Sequence, residues 1–358
     1  MTTTTDFPES APFLRRLTAL RWDNWRGALV IFIVGMAVAI LLLPPSISFW
    51  ASAALAALLA TTVVVNAWGR YTGGLLVAPA LALLFVMNVF PLLWSFGLSF
   101  FSYRANRARA PTWVGLENYA NVLSDPDIWD RLHNTVIMGI MTVATQMVVG
   151  FLLALLFSKT FPLRRYLMIL VLTPMMLSFV AVGAFFRYYY DPTFGLLSQA
   201  VRLFTGQPFI LMSTVWGSRI GIVFADAWMW SPFVMLLVLA GLVSVPKYLY
   251  EAAAIDRVSQ WRQFWSITFP YIRGLMLLAL LFRTIEAFKL FDLVFLLTNG
   301  GPGTATETIA LRVYRIAFEN NDTSESTAQA YILLFTVIVL TNLYLYFANR
   351  RAKEAAPA

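Results

Sequence analysis

The chain has 358 residues, 59% of them apolar and 12% charged, with a mean hydropathy of +0.72. A soluble domain sits nearer about 45–50% apolar and about 25% charged, so a soluble enzyme or transcription factor is excluded and an integral membrane protein is indicated. The formal charge is +8; in so apolar a chain the first role of Lys and Arg is to mark a membrane face, not to bind nucleic acid. The chain has no Cys and one His, His133, which excludes disulfides and cysteine nucleophiles and argues against a zinc or haem site.

A bilayer core of roughly 30 Å needs about 20 apolar residues in a helix. That ruler gives eight spans, 27–43, 47–68, 75–101, 132–157, 166–186, 220–245, 272–297 and 328–348, and an all-α membrane fold. The first is short, and Pro44-Pro45 makes a tight hairpin of the first two. The first span begins far from Met1, shows no clear cleavage site and is followed at once by a second apolar run, so it reads as a retained span and not a leader. Eight spans put both termini on one side. With both inside, fifteen Lys and Arg fall on the inner face against nine outside, so both ends are expected in the cytoplasm. Arg104, Arg107 and Arg109 run against that bias at the outer end of the third span.

Outer loops of about 102–131, 188–219 and 298–327 are long enough to suggest roles beyond connection. Pro79, Pro91, Pro174 and Pro232 lie inside spans and predict kinks, which neighbouring helices and water make tolerable. The longest inner connection, 244–271, predicts two short helices across the membrane face. Pro246 suits a first turn, Glu251 to Ile255 is strong helix-forming sequence, and Ser259 can cap the second helix. Trp261, Phe264, Trp265 and Thr268 then form one stripe, with Pro270 at a bend into the next span.

The run Glu251-Ala-Ala-Ala-Ile-Asp256, with Ile267-Thr-Phe-Pro270 downstream, resembles the EAA loop of permease subunits in binding-protein-dependent ABC importers. Val114-Gly-Leu-Glu-Asn-Tyr119, Trp228-Met-Trp-Ser-Pro-Phe233, Ala240-Gly-Leu242, Phe291-Asp292 and Leu297-Thr-Asn-Gly-Gly-Pro302 resemble the carbohydrate branch, and eight spans the maltose-type permeases. The resemblance implies a six-helix permease core at 75–348, with an extra hairpin at 27–68 and cytoplasmic tails at 1–26 and 349–358. It also implies a bacterial inner-membrane location, a second permease subunit, two copies of an ATPase, an extracytoplasmic solute-binding protein and a carbohydrate or polyol substrate. Glu251, Ala252, Ala253, Asp256 and Arg257 would couple to the ATPase, Glu251 near a basic residue there. No phosphate-binding loop is present, so ATP with magnesium belongs on that partner and this chain carries no cofactor or catalytic residue. The family usually has Gly after the Asp where this chain has Arg257; either Arg257 takes a left-handed conformation at a cost or the turn is built differently.

Charges inside a span are costly and raise a functional question. Arg283, Glu286, Lys289 and Asp292 alternate in sign at i, i+3 spacing, with Asp292 about 9 Å beyond Glu286 by helical rise. Such a set is either an ion-pair ladder, or pairs to adjoining helices, or the lining of a hydrated path. Asp226 and Trp230 at i, i+4, with Trp228 nearby, could bind a sugar through an acid and indole faces, or could simply pack with Asp226 held by a hydroxyl or an Arg. Gln146, Thr142 and Asn88 read as weaker candidates that glue helices together. Tyr188–Tyr190, Trp113 and His133 read as interfacial residues. Other classes are an importer for another small polar solute, an ion-coupled secondary transporter, and a membrane-embedded enzyme, for which no catalytic motif is visible.

Overall fold

The computed structural model describes residues 51, 54, 55 and 72–354, apart from 108, 208 and 209. The expected spans at 27–43 and 47–68 therefore lie outside the described residues save for three positions. Among the described residues five helices are long and apolar enough to cross a membrane, or six if one bent pair counts as a span. The described chain falls into two compact units. One runs up to Asn118 and includes Asn321–Ala328; the other comprises Tyr119–Asn320 and the chain from Gln329 onward.

In the first unit, α1 (Thr72–Leu84) passes through a π-turn at Phe85–Val89 into α2 (Phe90–Leu98). The Phe90 N–H reaches back five residues to the Phe85 carbonyl, immediately before Pro91. A wide turn of this kind spares the helix the clash a proline ring would make with the carbonyl four residues back. A two-stranded ribbon follows, β1 (Phe101–Ser102) antiparallel to β2 (Thr112–Trp113), a small strand pair that the all-α expectation did not contain. Trp113 stacks on Phe100 at 5.9 Å between centroids, and Asn118 donates to the Ser99 and Phe101 carbonyls. Arg104 pairs with Asp322 at 2.7 Å, which accounts for one member of the outer arginine group.

A short helix α3 (Glu117–Ser124) leads to α4 (Pro126–Ser158), started by Pro126 in its first turn and by Asp125, whose side chain accepts from the Asp127 N–H. The expected single span at 166–186 is broken. α5 (Arg164–Leu172) enters a 3₁₀ turn at Thr173–Met176, and α6 (Phe179–Tyr189) leaves it bent by 102°. Pro174 ends the first segment and Ser178 caps the second by accepting from the Ala181 N–H, so the predicted kink is a full break. After α7 (Leu196–Thr205) comes α8 (Val215–Ser244), which runs on through Pro232.

α9 (Lys247–Ile255) and α10 (Gln260–Gln263) form the connection expected on the inner face, and α10 continues through a π-turn at Phe264–Thr268 into α11 (Phe269–Ala287). The second loop helix is thus not a separate helix on the membrane face, and Pro270 does not end it. Residues Gln260–Ala287 form one 28-residue helix in which the Phe269 N–H bonds to the Phe264 carbonyl just before Pro270, the device already seen at Pro91. The expected span at 272–297 also breaks. α11 stops at Ala287, and a short α12 (Asp292–Leu297) follows, then α13 (Ile309–Tyr314), a π-turn at Arg315–Glu319 and α14 (Thr323–Glu354).

The second unit has two apolar clusters. One gathers Met138, Val182, Phe186, Ile222, Met229 and Leu293; the other Ala154, Phe157, Val234, Val238, Ile272 and Ala279. Helices α4, α8 and α11 approach closely because small residues sit where they meet. A Cβ on Gly150 would lie 2.5 Å from the Val234 Cβ and 2.7 Å from the Ser231 carbonyl oxygen. Gly139 faces the Ala287 Cβ across 3.5 Å of the corresponding space.

Candidate functional site

Between the two apolar clusters lies a polar layer. On α4, Gln146 sits midway between Met138 and Ala154; α8 supplies Asp226 and α11 supplies Arg283. The Gln146 amide donates to an Asp226 carboxylate oxygen at 2.5 Å, and Arg283 Nε donates to Gln146 Oε1 at 2.7 Å. The Arg283 guanidinium lies 3.6 Å from the same carboxylate and 4.7 Å above the Trp230 ring. All three polar side chains are at most 4% exposed. An isolated charge at this depth would be prohibitive, whereas an ion pair whose remaining positions are filled by an amide and an aromatic face is tolerable. Asp226 is therefore held by Arg283, as one of the sequence alternatives had it, with Gln146 as the adaptor.

The four-membered ladder does not form. Arg283 turns to Asp226, Lys289 pairs with Glu286 at 3.0 Å with both side chains largely exposed, and Asp292 starts a different helix. The 9 Å separation along one helix does not apply, because the chain turns at Phe288–Phe291. The carbonyl freed there at Leu290 accepts from the Thr308 hydroxyl at 2.8 Å. What the break does is gather the candidates. Asp226, Trp230, Arg283, Glu286, Lys289 and Asp292 all line one cavity of about 210 Å³, together with Phe179 and Phe291. Trp228 is not among them. It stacks on Phe185 at 6.0 Å and faces a different, apolar cavity of about 570 Å³ together with Thr145, Thr173 and Pro174.

Sequence reasoning missed a second polar assembly. Glu307, 3% exposed, accepts from Arg131 at 2.9 Å and from Arg315 at 2.7 Å. Asn134 donates to the Thr304 carbonyl while Arg219 bonds Asn134 and the Ala305 carbonyl. This network fastens the segment from Leu297 to Thr308 to α4 and α8. Gly300 within it has φ +86°, and a Cβ there would come 3.2 Å from the Glu307 Cβ, so a glycine is required. Arg131 and Arg219, both expected at the outer face from the span boundaries, are buried, and no local sequence signal marks them as partners of this segment.

The inner connection is built differently from either polar layer. α9 ends in a Schellman motif: the Val258 N–H bonds to the Ala253 carbonyl at 2.9 Å and the Arg257 N–H to the Ala254 carbonyl at 3.1 Å. Arg257 holds the left-handed position with φ +53°, so the turn is the one glycine would make, adopted by arginine at a cost of about 1–2 kcal/mol. Ser259 then caps α10, accepting from the Arg262 N–H. The Tyr250 hydroxyl meets Thr268 Oγ1 at 2.8 Å and Gln263 donates to the Val258 carbonyl at 2.9 Å, which clamps α9 against the following helix. Ala253 is buried in that clamp, while Glu251, Ala252, Asp256 and Arg257 face outward. The expected aromatic stripe divides: Trp261 and Trp265 are exposed, Phe264 is half-buried and Thr268 is buried.

A membrane bundle with a charged central layer and a preformed helical loop beyond it has the build of a transport subunit. Residues 146–354 match the family described as the binding-protein-dependent transport system inner membrane component, and the chain belongs to that family. It is a membrane-spanning permease component of an ABC importer. The sulfoquinovosyl glycerol transport system permease protein SmoG of Agrobacterium fabrum is 31% identical over 77% of this chain and 90% of its own length. The trehalose/maltose transport system permease protein MalF of Thermococcus litoralis is 31% identical over 76% of this chain and 92% of its own. The crystal structure of a bacterial ABC transporter involved in the import of the acidic polysaccharide alginate shares the fold, with a TM-score of 0.69 at 18% identity over 81% of this chain and 98% of that one.

Proposed function

We propose that this chain is one of two permease subunits that together enclose the path of a carbohydrate or polyol, with two copies of an ATPase on the cytoplasmic side and a solute-binding protein outside. ATP and magnesium act on the ATPase, and both termini of this chain lie in the cytoplasm of a bacterium whose inner membrane it spans. The observation that carries the proposal is the rigid loop from α9 to α10. It is closed by internal hydrogen bonds yet leaves Glu251, Ala252, Asp256 and Arg257 outward, the arrangement of a lever that must be stiff and must grip another protein. A carbohydrate substrate is supported by the names of SmoG and MalF and by the cavity, where Glu286, Lys289 and Asp292 bring carboxylates and an ammonium to hydroxyl groups. Asp226, Trp230, Glu286, Lys289 and Asp292 form its polar lining in this reading, whereas Trp228 serves packing.

The test is uptake of labelled neutral oligosaccharides into liposomes carrying the assembled complex and its binding protein. ATP-dependent accumulation that falls to background with Glu251→Ala supports the proposal. Accumulation driven by a proton or sodium gradient in the absence of the ATPase contradicts it.

A further inference from the structure

The segment between α6 and α8 holds a surface that belongs neither to the two polar assemblies nor to the α9–α10 loop. In α7, Leu196, Ala200, Leu203 and Phe204 lie on one arc at i, i+4, i+7 and i+8, and Ser198, Gln199, Arg202 and Thr205 lie on the other. The inward flank is seated: Leu197 packs on the core cluster around Phe186 and Ser198 is buried. The apolar arc is not. Leu203 is 86% and Phe204 91% exposed.

This helix does not dangle from its connection. Asp191 accepts from the Thr193 and Phe194 N–H groups, Ser198 donates to the Pro192 carbonyl at 2.7 Å, and Gln199 donates to the Thr193 carbonyl at 2.8 Å. A Cβ on Gly195 would sit 2.4 Å from the Asp191 carbonyl oxygen, so the turn closes tightly on itself. Tyr190 donates to the Gly221 carbonyl at 3.0 Å and ties the same turn to α8. The direction of α7 is therefore set by the fold.

We propose that α7 is an interfacial helix whose Leu196–Phe204 arc lies in the boundary between lipid headgroups and acyl chains. The occupant follows from continuity. Exposed Phe185 and Tyr188 on α6 belong to the bent membrane segment, and Tyr188 contacts Phe194 at 5.2 Å between centroids. The exposed apolar side chains thus pass from α6 through the Tyr188–Phe194 contact onto Leu196, Leu203 and Phe204. Arg187 and Arg202, both exposed, flank it where lipid phosphates would lie. A tyrosine and phenylalanines beside arginines are the composition that the interface selects.

Because the chain has no Cys, single cysteines report without prior substitution. The assembled complex carrying Gln199→Cys, Arg202→Cys, Leu203→Cys or Phe204→Cys is spin-labelled and placed in phosphatidylethanolamine–phosphatidylglycerol liposomes, the parent complex giving the background. All four positions are exposed, so the label needs no repacking. Collision with oxygen should exceed collision with a water-soluble nickel chelate at 203 and 204, and the order should reverse at 199 and 202. Nickel dominance at all four positions overturns the proposal, as does exclusion of both reagents at 203 and 204, which would mean that a protein partner covers the arc.

Discussion

The layer around Arg283 and the loop around Glu251, both in the second unit, treat polar groups in opposite ways. In the layer, Asp226, Gln146 and Arg283 satisfy one another within the chain and are withdrawn from solvent. In the loop, side-chain and backbone bonds go into holding the turn, and the charges of Glu251, Asp256 and Arg257 are left outward. Depth explains the contrast. A charge in hydrocarbon must find its partner inside the fold, while a charge at the aqueous face can wait for another protein. Burial marks what holds the bundle together, and the outward charges of the loop are what the proposed coupling would use.

Substitutions should separate these roles by their effect on stability. The largest effect is expected for Arg283→Ala, which strands Asp226 in the core; removing one partner of a buried pair costs about 3–5 kcal/mol. The thermal midpoint of the detergent-solubilised complex should drop sharply, and Asp226→Asn in the same chain should recover a good part of the loss. Failure of that rescue would mean the two side chains are not coupled. Gly150→Val comes next, since added methyls between α4 and α8 have no room; overpacking of this kind costs about 1–3 kcal/mol. Its midpoint should fall between those of Arg283→Ala and the parent.

At the loop the effects shrink. Arg257→Gly relieves the left-handed strain but adds glycine's entropy to the unfolded chain, so a net gain of up to about 1 kcal/mol is expected. Amide exchange at Val258 and Arg257, whose N–H groups close the Schellman motif, should slow or stay level. Faster exchange there would show that the arginine side chain supports the turn. Glu251→Ala should change stability by no more than about 0.5 kcal/mol, leaving the melting midpoint close to the parent's, because its side chain is exposed.

Much of this was legible in the chain itself, for local reasons. Apolar run lengths place α4, α8, α11 and α14, and Ser259 marks the start of α10 by its capping chemistry. The Glu251-to-Pro270 pattern identifies the loop. What could not be read depends on contacts far apart in sequence. Arg283 chooses Gln146, 137 positions away, over Glu286, three positions away, because the small contact at Gly139 and Ala287 brings α4 and α11 together. The stop at Ala287 has neither proline nor glycine to announce it, and rests on Thr308 bonding the Leu290 carbonyl. Glu307 is invisible for the same reason, being defined by Arg131 and Arg315 from two different helical segments. At Pro270 the helix runs on because the π-turn just before it spares the clash with the carbonyl four residues back.

The proposed transport role requires the loop to grip an ATPase, and the absence of cysteines from this chain allows that to be measured directly. Ala252→Cys in the assembled complex, treated with short bifunctional thiol reagents against single cysteines lining a groove of the ATPase, should give a covalent permease–ATPase product whose yield changes when ATP is added. A product that never forms at any groove position, in a complex that still imports its solute, would contradict it.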